Sequence, residues 1–214
     1  ERAARRWRRE RFDRVLREDV RDLEPIRQIQ LLSLFVDLLR HRVGSLVVLS
    51  NLAEDLQISP KTAKAWLEVL ERMYLVFCVR PYTRNLPRAV LKPPKVYLFD
   101  NGDVLGDEGA RFENLVATTL LKRLHFFEDR DGYRYELRYI RDKEGREVDF
   151  AVIREGKLEE LIEAKLSGKK ISRSLLYYAQ RLKPKRATQV VAELRQPYDE
   201  KGVRVTDPLS FSRA

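Results

Sequence analysis

Three acidic residues and one lysine, widely spaced along the chain, are of the types needed to cut a phosphodiester bond. They are Glu113, Asp149, Glu163 and Lys165. Carboxylate oxygens are hard ligands for a divalent cation, and a nearby lysine can stabilise the charge that builds up on phosphorus. Because residues i and i+2 of a strand point to the same face, Glu163 and Lys165 would project together. The series therefore predicts a metal-dependent nuclease site.

The local sequence pattern places two of these carboxylates on strands. Apolar and polar residues alternate over Tyr133–Ile140, which is typical of a half-buried strand, and two further strands follow at Glu147–Ile153 and Leu158–Lys165. Short turns separate the three strands. We therefore expect Asp149 and Glu163 on neighbouring antiparallel strands, close enough to share one ion.

Helical patterns flank these strands. Apolar residues recur at helical spacing over Phe112–Leu124, with Glu113 beside the apolar stripe near the helix start. A second amphipathic helix is predicted over Ile171–Leu182, followed by strands at Gln189–Leu194 and Val203–Val205. The predicted order is helix, three strands, helix and strand.

This order, with its Glu, Asp and Glu-x-Lys series, resembles the PD-(D/E)XK, or restriction-endonuclease-like, fold. More closely, the chain resembles the C-terminal region of a family of archaeal and bacterial AAA-type ATPases. In that family a winged-helix segment and a nuclease-like domain of unknown function follow the ATP-binding module. Val148 stands where the fold's signature has proline, while Asp149 still supplies the ligand. The matching segments are Tyr97–Gly102, Gly109–Asn114, Tyr139–Asp142, Gly145–Phe150 and Ile162–Lys165.

The resemblance implies an α/β (α+β) fold, in which an N-terminal helical linker and a winged helix-turn-helix precede a restriction-endonuclease-like αβββαβ domain. It implies that Asp149 and Glu163 hold Mg²⁺ or Mn²⁺, and that Glu113 assists directly or through water. Lys165 would orient the attacking water or neutralise the phosphate. ATP would bind only in a module upstream of residue 1.

Other functions stay open, because members of this fold can keep the scaffold and lose cutting. The chain could be a DNA-binding or targeting region of the ATPase, or a protein-interaction module within an ATPase assembly. The carboxylates and lysine could also be solvated strand residues in surface salt bridges, which contribute little by themselves.

The first half of the chain carries a helix-turn-helix pattern. Asn51 can cap one short helix, and Ser59 can cap a second helix in which Pro60 takes the first position. This second helix should run to about Met73. Its predicted inward face consists of Ala63, Trp66, Leu67 and Leu70. Lys61, Thr62 and Lys64 face outward near its start, where a recognition helix usually meets bases or phosphates.

A basic hairpin, or wing, is predicted after this helix. Its strands are Tyr74–Pro81 and Lys95–Phe99, and the segment that spans them contains no acidic residue. Uncompensated positive charges suit a DNA backbone and would give salt-dependent affinity. The alternative is an interdomain connector with solvated charges. The basic residues are Arg80, Arg84, Arg88, Lys92 and Lys95.

The turn-rich segment Asp100–Gly109 suggests the main division of the chain. We predict a helical linker to an ATPase module at 1–28, a winged helix-turn-helix domain at 29–100 and a nuclease-like domain at 101–214. The only methionine is Met73, so we expect the chain to be a fragment of a longer protein. No Gly-x-x-x-x-Gly-Lys-Ser/Thr motif occurs, so we expect no ATP hydrolysis by these residues.

Composition fits a polyanionic partner. The chain has 43 Lys plus Arg against 33 Asp plus Glu, a net charge of +10 and a pI near 9.8. No signal peptide and no membrane-spanning apolar run is present, which predicts a cytoplasmic protein. The lone Cys78 excludes an internal disulfide, and two histidines are too few for a zinc site. The high charge content and the single Cys and Met indicate a thermophilic source. None of these patterns indicates an oligomeric state.

Overall fold

A computed structural model describes residues 26–83, 92–168 and 170–213, together with Ala3, Arg6, Trp7 and Glu10. The helices are α1 (Ile26–His41), α2 (Leu49–Asp55), α3 (Pro60–Arg72), α4 (Glu108–Asp131), α5 (Arg173–Leu182) and α6 (Pro208–Arg213). The strands are β1 (Val76–Pro81), β2 (Lys95–Leu98), β3 (Tyr135–Arg141), β4 (Glu147–Arg154), β5 (Lys157–Lys165), β6 (Arg186–Val191), β7 (Tyr198–Glu200) and β8 (Val203–Thr206). The predicted mixed α+β class, helical at first and sheet-rich afterwards, is confirmed.

The described strands form one eight-stranded mixed sheet in the order β2-β1-β3-β4-β5-β6-β8-β7. The three consecutive strands β3, β4 and β5 form an antiparallel meander, whereas β5, β6 and β8 run parallel to one another. Strand β1 pairs antiparallel with β2 and parallel with β3, where Arg80 lies opposite Arg138. The predicted wing strands are therefore joined to the edge of the sheet that carries the carboxylates.

The core crosses the division between the two halves of the chain. Side chains of α1 and α3, such as Phe35 and Trp66, share one buried cluster with Leu120 of α4 and Phe150 of β4. A second cluster on the other side of the sheet includes Leu161 of β5 and Leu175 of α5. Burial of apolar surface thus fixes the N-terminal half against α4 and the sheet. Both halves can contribute residues to one site.

Of the two short helices predicted around Ser59, the second is confirmed and the first begins earlier than predicted. Ser59 caps α3, accepting a hydrogen bond from the Thr62 N–H at 3.0 Å, and Pro60 begins the helix. The predicted inward face of α3 is buried. By contrast, α2 begins at Leu49 with Val48 at its cap position, so Asn51 lies inside the helix and does not cap it. Leu49 packs against the core, which favours the earlier start.

The strand predictions after α5 also need one correction. Strand β6 ends at Val191 and begins at Arg186, three residues earlier than the predicted strand. Its parallel pairing with β5, from Glu160 opposite Arg186 to Lys165 opposite Val191, fixes both ends. The short strand Tyr198–Glu200 was not predicted from the sequence.

The predicted linker, residues 1–28, lies almost entirely outside the described residues. Within it, Arg6 Nε lies 2.7 Å from Glu10 Oε1, which is a helical i,i+4 ion pair. Of the described helices, none combines the length and apolar character that crossing a bilayer would require.

Candidate metal-binding site

Three elements position the predicted site residues. Glu113 lies in the second turn of α4, Asp149 near the start of β4, and Glu163 and Lys165 at the end of β5. The register that pairs Phe150 with Ile162 brings Asp149 and Glu163 together, as predicted. Asp149 Oδ2 accepts a hydrogen bond from the Ala164 N–H at 3.0 Å, which locks its carboxylate across the two strands.

Lys165 and Glu163 project together, as the strand spacing predicted. Lys165 Nζ lies 2.8 Å from Glu163 Oε1, and the lysine side chain is about half exposed at 46% whereas that of Glu163 is 5% exposed. The lysine can therefore contact both the buried carboxylate and a ligand that arrives from solvent.

The structure places Lys95 far from the surface position predicted for it on the wing. Its side chain is only 2% exposed, and Nζ lies 2.6 Å from Glu147 Oε1, 3.1 Å from Glu113 Oε1 and 3.5 Å from Asp149 Oδ1. A lysine buried this deeply needs negative partners, and here they come from α4 and β4. Lys95 belongs to the carboxylate cluster and is not a surface contact for a DNA backbone.

Two further residues of this cluster were missed as site residues. Tyr97, two residues after Lys95 on β2, donates its hydroxyl to Glu113 Oε1 at 2.7 Å. Glu147 contacts both Lys95 and, at 2.9 Å, Arg141 Nη1. The signal that could have found Lys95 and Tyr97 is their i, i+2 spacing, which directs both side chains to one face of a strand.

Asn114 fixes Glu113 in place. The Asn114 side chain is fully buried; its Oδ1 accepts from the Leu98 N–H at 2.8 Å and its Nδ2 donates to the Leu98 carbonyl at 3.0 Å. These two hydrogen bonds fasten the start of α4 to β2, the strand that carries Lys95 and Tyr97. Because Asn114 is held on β2, the neighbouring Glu113 is kept close to Lys95 and Tyr97.

The loop after α1 covers the Glu113 carboxylate. Gly44 has a φ of +75°, and a Cβ atom at this position would lie 2.9 Å from Glu113 Oε2. The Gly44 N–H also donates to the Val96 carbonyl at 3.2 Å. The N-terminal half therefore closes one side of the site through a backbone contact that a side chain would obstruct.

Burial and mutual repulsion alter the proton affinity of the site. Burial, together with the nearby Asp149 charge, raises the pKa of Glu113 to about 7, although Lys95 and Tyr97 oppose the rise. The pKa of Glu163 rises to about 7 for the same two reasons, opposed by Lys165 and Ser172. Burial by itself would lower the pKa of Lys95, but the charges of Glu113, Asp149 and Glu147 raise it above its usual range. The lysine is charged at neutral pH, while two glutamates hold protons part of the time.

One carboxylate oxygen remains without a partner. Glu163 Oε2 is buried and no described residue donates a hydrogen bond to it within 3.5 Å, although the Ser172 hydroxyl is close enough to the carboxylate to lower its pKa. Such an oxygen is costly unless a cation or a donor reaches it. Across the described ranges, no three carboxylate, His or Cys side chains are already arranged around an ion. The donors fit a hard divalent cation held by Asp149 and Glu163, with the Lys95 ammonium close beside it.

The predicted DNA-contacting residues fall into three groups. Lys61 and Lys64 are exposed near the start of α3, and Lys92 is exposed before β2, while Thr62 is partly buried and serves the Ser59 cap. Arg80 Nη2 lies 3.6 Å from Glu71 Oε2 and Lys64 Nζ lies 3.9 Å from Glu68 Oε1, so both of these charges have an acidic partner. Arg84 and Arg88 lie outside the described residues.

The fold is mixed α+β and carries a cluster of carboxylates and lysines. Two regions of the chain match known protein families. Residues 1–104 match a family model described as a domain of unknown function (DUF8612), and residues 108–208 match another domain of unknown function (DUF4143). The second match contains Glu113, Asp149, Glu163 and Lys165, and the first contains Lys95 and Tyr97. No curated protein and no solved structure matches the chain. The site thus draws on both matched regions.

Proposed function

We propose that this chain is the DNA-binding, nuclease-like region of an AAA-type ATPase, and that it hydrolyses DNA phosphodiester bonds with Mg²⁺ or Mn²⁺. The observation that carries the proposal is the buried Oε2 atom of Glu163, which has no hydrogen-bond partner among the described residues and lies beside Asp149 and on the same strand as Lys165. The chain's resemblance to the C-terminal regions of AAA-type ATPases supports the same assignment, as does the match of residues 108–208 to the second domain of unknown function.

Each residue would have a defined role. Asp149 and Glu163 would hold the divalent cation, which supplies Lewis-acid stabilisation of the phosphoryl oxygens. Lys165 is exposed enough to reach a phosphate oxygen while it stays near Glu163. Hydrolysis joins a water oxygen to phosphorus and breaks one bridging P–O bond. Glu113, with a pKa of about 7, can accept the proton that the water loses, and the leaving oxygen takes a proton from solvent.

Calorimetric titration of Mn²⁺ and Mg²⁺ tests the metal site. The test variant is Asp149→Asn with Glu163→Gln, which keeps side-chain volume and leaves an oxygen to accept from the Ala164 N–H. The matched control is Glu144→Gln with Glu193→Gln, which removes two exposed carboxylates outside the cluster. We expect saturable binding in the wild type and the control, and none in the test variant.

The same three proteins are then incubated with labelled duplex, flap and single-stranded DNA. Cleavage by the wild type and the control, absent from the test variant, would establish the nuclease. Metal binding without cleavage of any substrate would leave the alternative of a catalytically inactive DNA-binding or protein-interaction region. Equal metal binding by all three proteins would contradict the site assignment.

A second candidate function, DNA binding without cutting, is favoured by the exposed lysines of α3. Lys61 and Lys64 lie in the first two turns of a helix whose start is fixed by Ser59. We expect Lys61→Ala with Lys64→Ala to weaken DNA binding and to reduce the slope of log affinity against log salt by about 2. Lys157→Ala with Lys201→Ala, which removes two exposed lysines elsewhere, is the control.

The same assay tests the predicted wing. Arg84→Glu with Arg88→Glu should weaken DNA binding at low salt if these residues contact phosphates. Affinity that neither pair of substitutions changes would count against DNA as the partner and would favour a protein partner.

A further inference from the structure

Lys95 occupies an unusual position for a lysine next to a metal-binding candidate. Its ammonium contacts three of the four clustered carboxylates, while Glu163 pairs with Lys165 instead. A positive charge at this place neutralises negative charge that burial would otherwise make costly. The same charge also repels any second cation that approaches Asp149.

We propose that the Lys95 ammonium is a built-in counter-ion that holds the carboxylates together in the metal-free protein and competes with the divalent cation for Asp149. This inference rests on the proposed function, because it assumes that Asp149 and Glu163 are metal ligands. Lys95 then sets how tightly the site binds metal.

The three contact distances indicate how the competition works. The shortest, 2.6 Å, joins Lys95 to Glu147, which lies outside the proposed ligand pair and has a side chain 23% exposed. The longest, 3.5 Å, joins Lys95 to Asp149. The ammonium can therefore give up Asp149 first and keep Glu147. The ring of Tyr139, whose centroid lies 6.0 Å from Nζ, offers it a further favourable neighbour on that side.

The arrangement also accounts for the absence, within the described part of the chain, of three carboxylates already gathered around an ion site. Glu113 and Asp149 both turn an oxygen toward Lys95, and Glu113 is held there by Tyr97 as well. Among the described residues, Glu163 Oε2 is the one buried carboxylate oxygen without a hydrogen-bond partner. The carboxylates of the cluster are thus arranged around the lysine.

The test variant is Lys95→Met, which keeps an unbranched side chain as far as Cε and removes the charged Nζ. The control is Lys122→Met, which removes an exposed lysine on α4. Mn²⁺ affinity is measured by calorimetry, and stability by urea unfolding in EDTA and in saturating Mn²⁺. We expect Lys95→Met to bind Mn²⁺ at least about tenfold more tightly than the wild type, because a neighbouring positive charge is gone. We also expect it to be less stable in EDTA, with most of this loss recovered in Mn²⁺.

The outcomes separate this inference from the proposed function. Binding by Lys95→Met but not by the wild type would support the inference strongly. Equal or weaker binding by Lys95→Met, with clear binding by the wild type, would overturn the inference and leave the proposed function intact. No binding by either folded protein would overturn both.

A second variant keeps the test decisive if Lys95→Met does not fold in EDTA. Adding Asp149→Asn removes one negative charge and should restore folding, because the charge imbalance is then smaller. Failure of the double variant to fold would assign Lys95 a packing role and overturn the inference.

Discussion

Two glutamates on strand β5, three residues apart, lie in buried clusters of opposite character. Glu160 has both oxygens paired with guanidinium groups, one from Arg123 at 2.6 Å and one from Arg186. Glu163 has one oxygen paired with Lys165 and the other unpartnered among the described residues. The side chains are almost equally buried, at 6% and 5% exposed. Burial alone therefore does not mark a functional carboxylate; the state of its partners does.

The two clusters also differ in their balance of positive and negative charges. Around Glu160 the cations outnumber the carboxylate, whereas around Glu163 four carboxylates face Lys95, Lys165 and the more exposed Arg141. A cavity of about 570 Å³ adjoins the Glu160 cluster. Its arginines already have acidic partners, Glu160 and Asp199. The comparison separates a cluster that stabilises the fold from one that retains capacity for another cation.

The largest expected change in the free energy of unfolding follows from removing Glu160. Glu160→Ala leaves the buried Arg123 charge without its carboxylate, and such losses typically cost about 3–5 kcal/mol of unfolding free energy. Urea unfolding measures this cost. The control is Glu159→Ala, which removes the partner of the exposed Lys185 and should cost about 0–1 kcal/mol. Similar small losses in both variants would show that Glu160 is not a stabilising centre.

The next prediction concerns Glu163, whose negative charge should lower the free energy of unfolding, whereas that of Glu160 raises it. Its folded-state pKa of about 7 lies above the usual 4.5, so the folded protein binds more protons than the unfolded chain between these values. Stability should therefore fall as pH rises from about 4.5 to about 7. A pKa difference of this size sets an upper limit of about 3 kcal/mol, which relaxation of the neighbours reduces.

Glu163→Gln removes this loss, because glutamine carries no charge to repel Asp149. We expect the variant to gain on the order of 1–2 kcal/mol over the wild type at pH 8 in EDTA, and little at pH 5. Urea unfolding at the two pH values measures the gain. Glu160→Gln, in contrast, should destabilise the protein at both pH values. Loss of stability in Glu163→Gln at pH 8 would remove the basis for treating the two clusters as different.

The strands and capping of this fold could be predicted because their signals are local. Alternating residues indicated β3, the short turns around them indicated β4 and β5, and Ser59 with Pro60 indicated the start of α3. The Glu163 to Lys165 spacing correctly predicted their shared direction. Where tertiary packing decides, local signals were insufficient: α2 begins two residues before Asn51, and β6 takes its ends from pairing with β5.

Lys95 could not be placed from its local sequence. The segment around it, Tyr74–Phe99, contains no acidic residue, so the sequence indicated an unpaired positive charge suited to DNA. Its partners Glu113 and Asp149 lie 18 and 54 residues away, and only the packing of α4 and β4 against β2 brings them to it. Counting charges over neighbouring residues in the sequence therefore gives the wrong environment for Lys95, because its acidic partners lie on other helices and strands.

The smallest expected change in stability tests whether the loop after α1 contributes to the site. Gly44 and Gly145 both have positive φ, +75° and +81°, so replacement by alanine should cost each about 1 kcal/mol of unfolding free energy. Around Gly145 a Cβ atom would meet nothing within 4 Å, whereas at Gly44 it would lie 2.9 Å from Glu113 Oε2. We expect Gly44→Ala to lose roughly a further 1 kcal/mol, because the Glu113 carboxylate must shift.

The shift of Glu113 should also appear in metal binding, since this carboxylate lies between the Gly44 loop and Lys95. Calorimetry should show altered Mn²⁺ affinity for Gly44→Ala and wild-type affinity for Gly145→Ala. Equal unfolding free energies and equal affinities in the two variants would mean that the loop after α1 only rests on the site. A difference in affinity would instead make the loop after α1 part of the site, beside Lys95 and Tyr97, so that a movement of this loop could change how the carboxylates bind a cation.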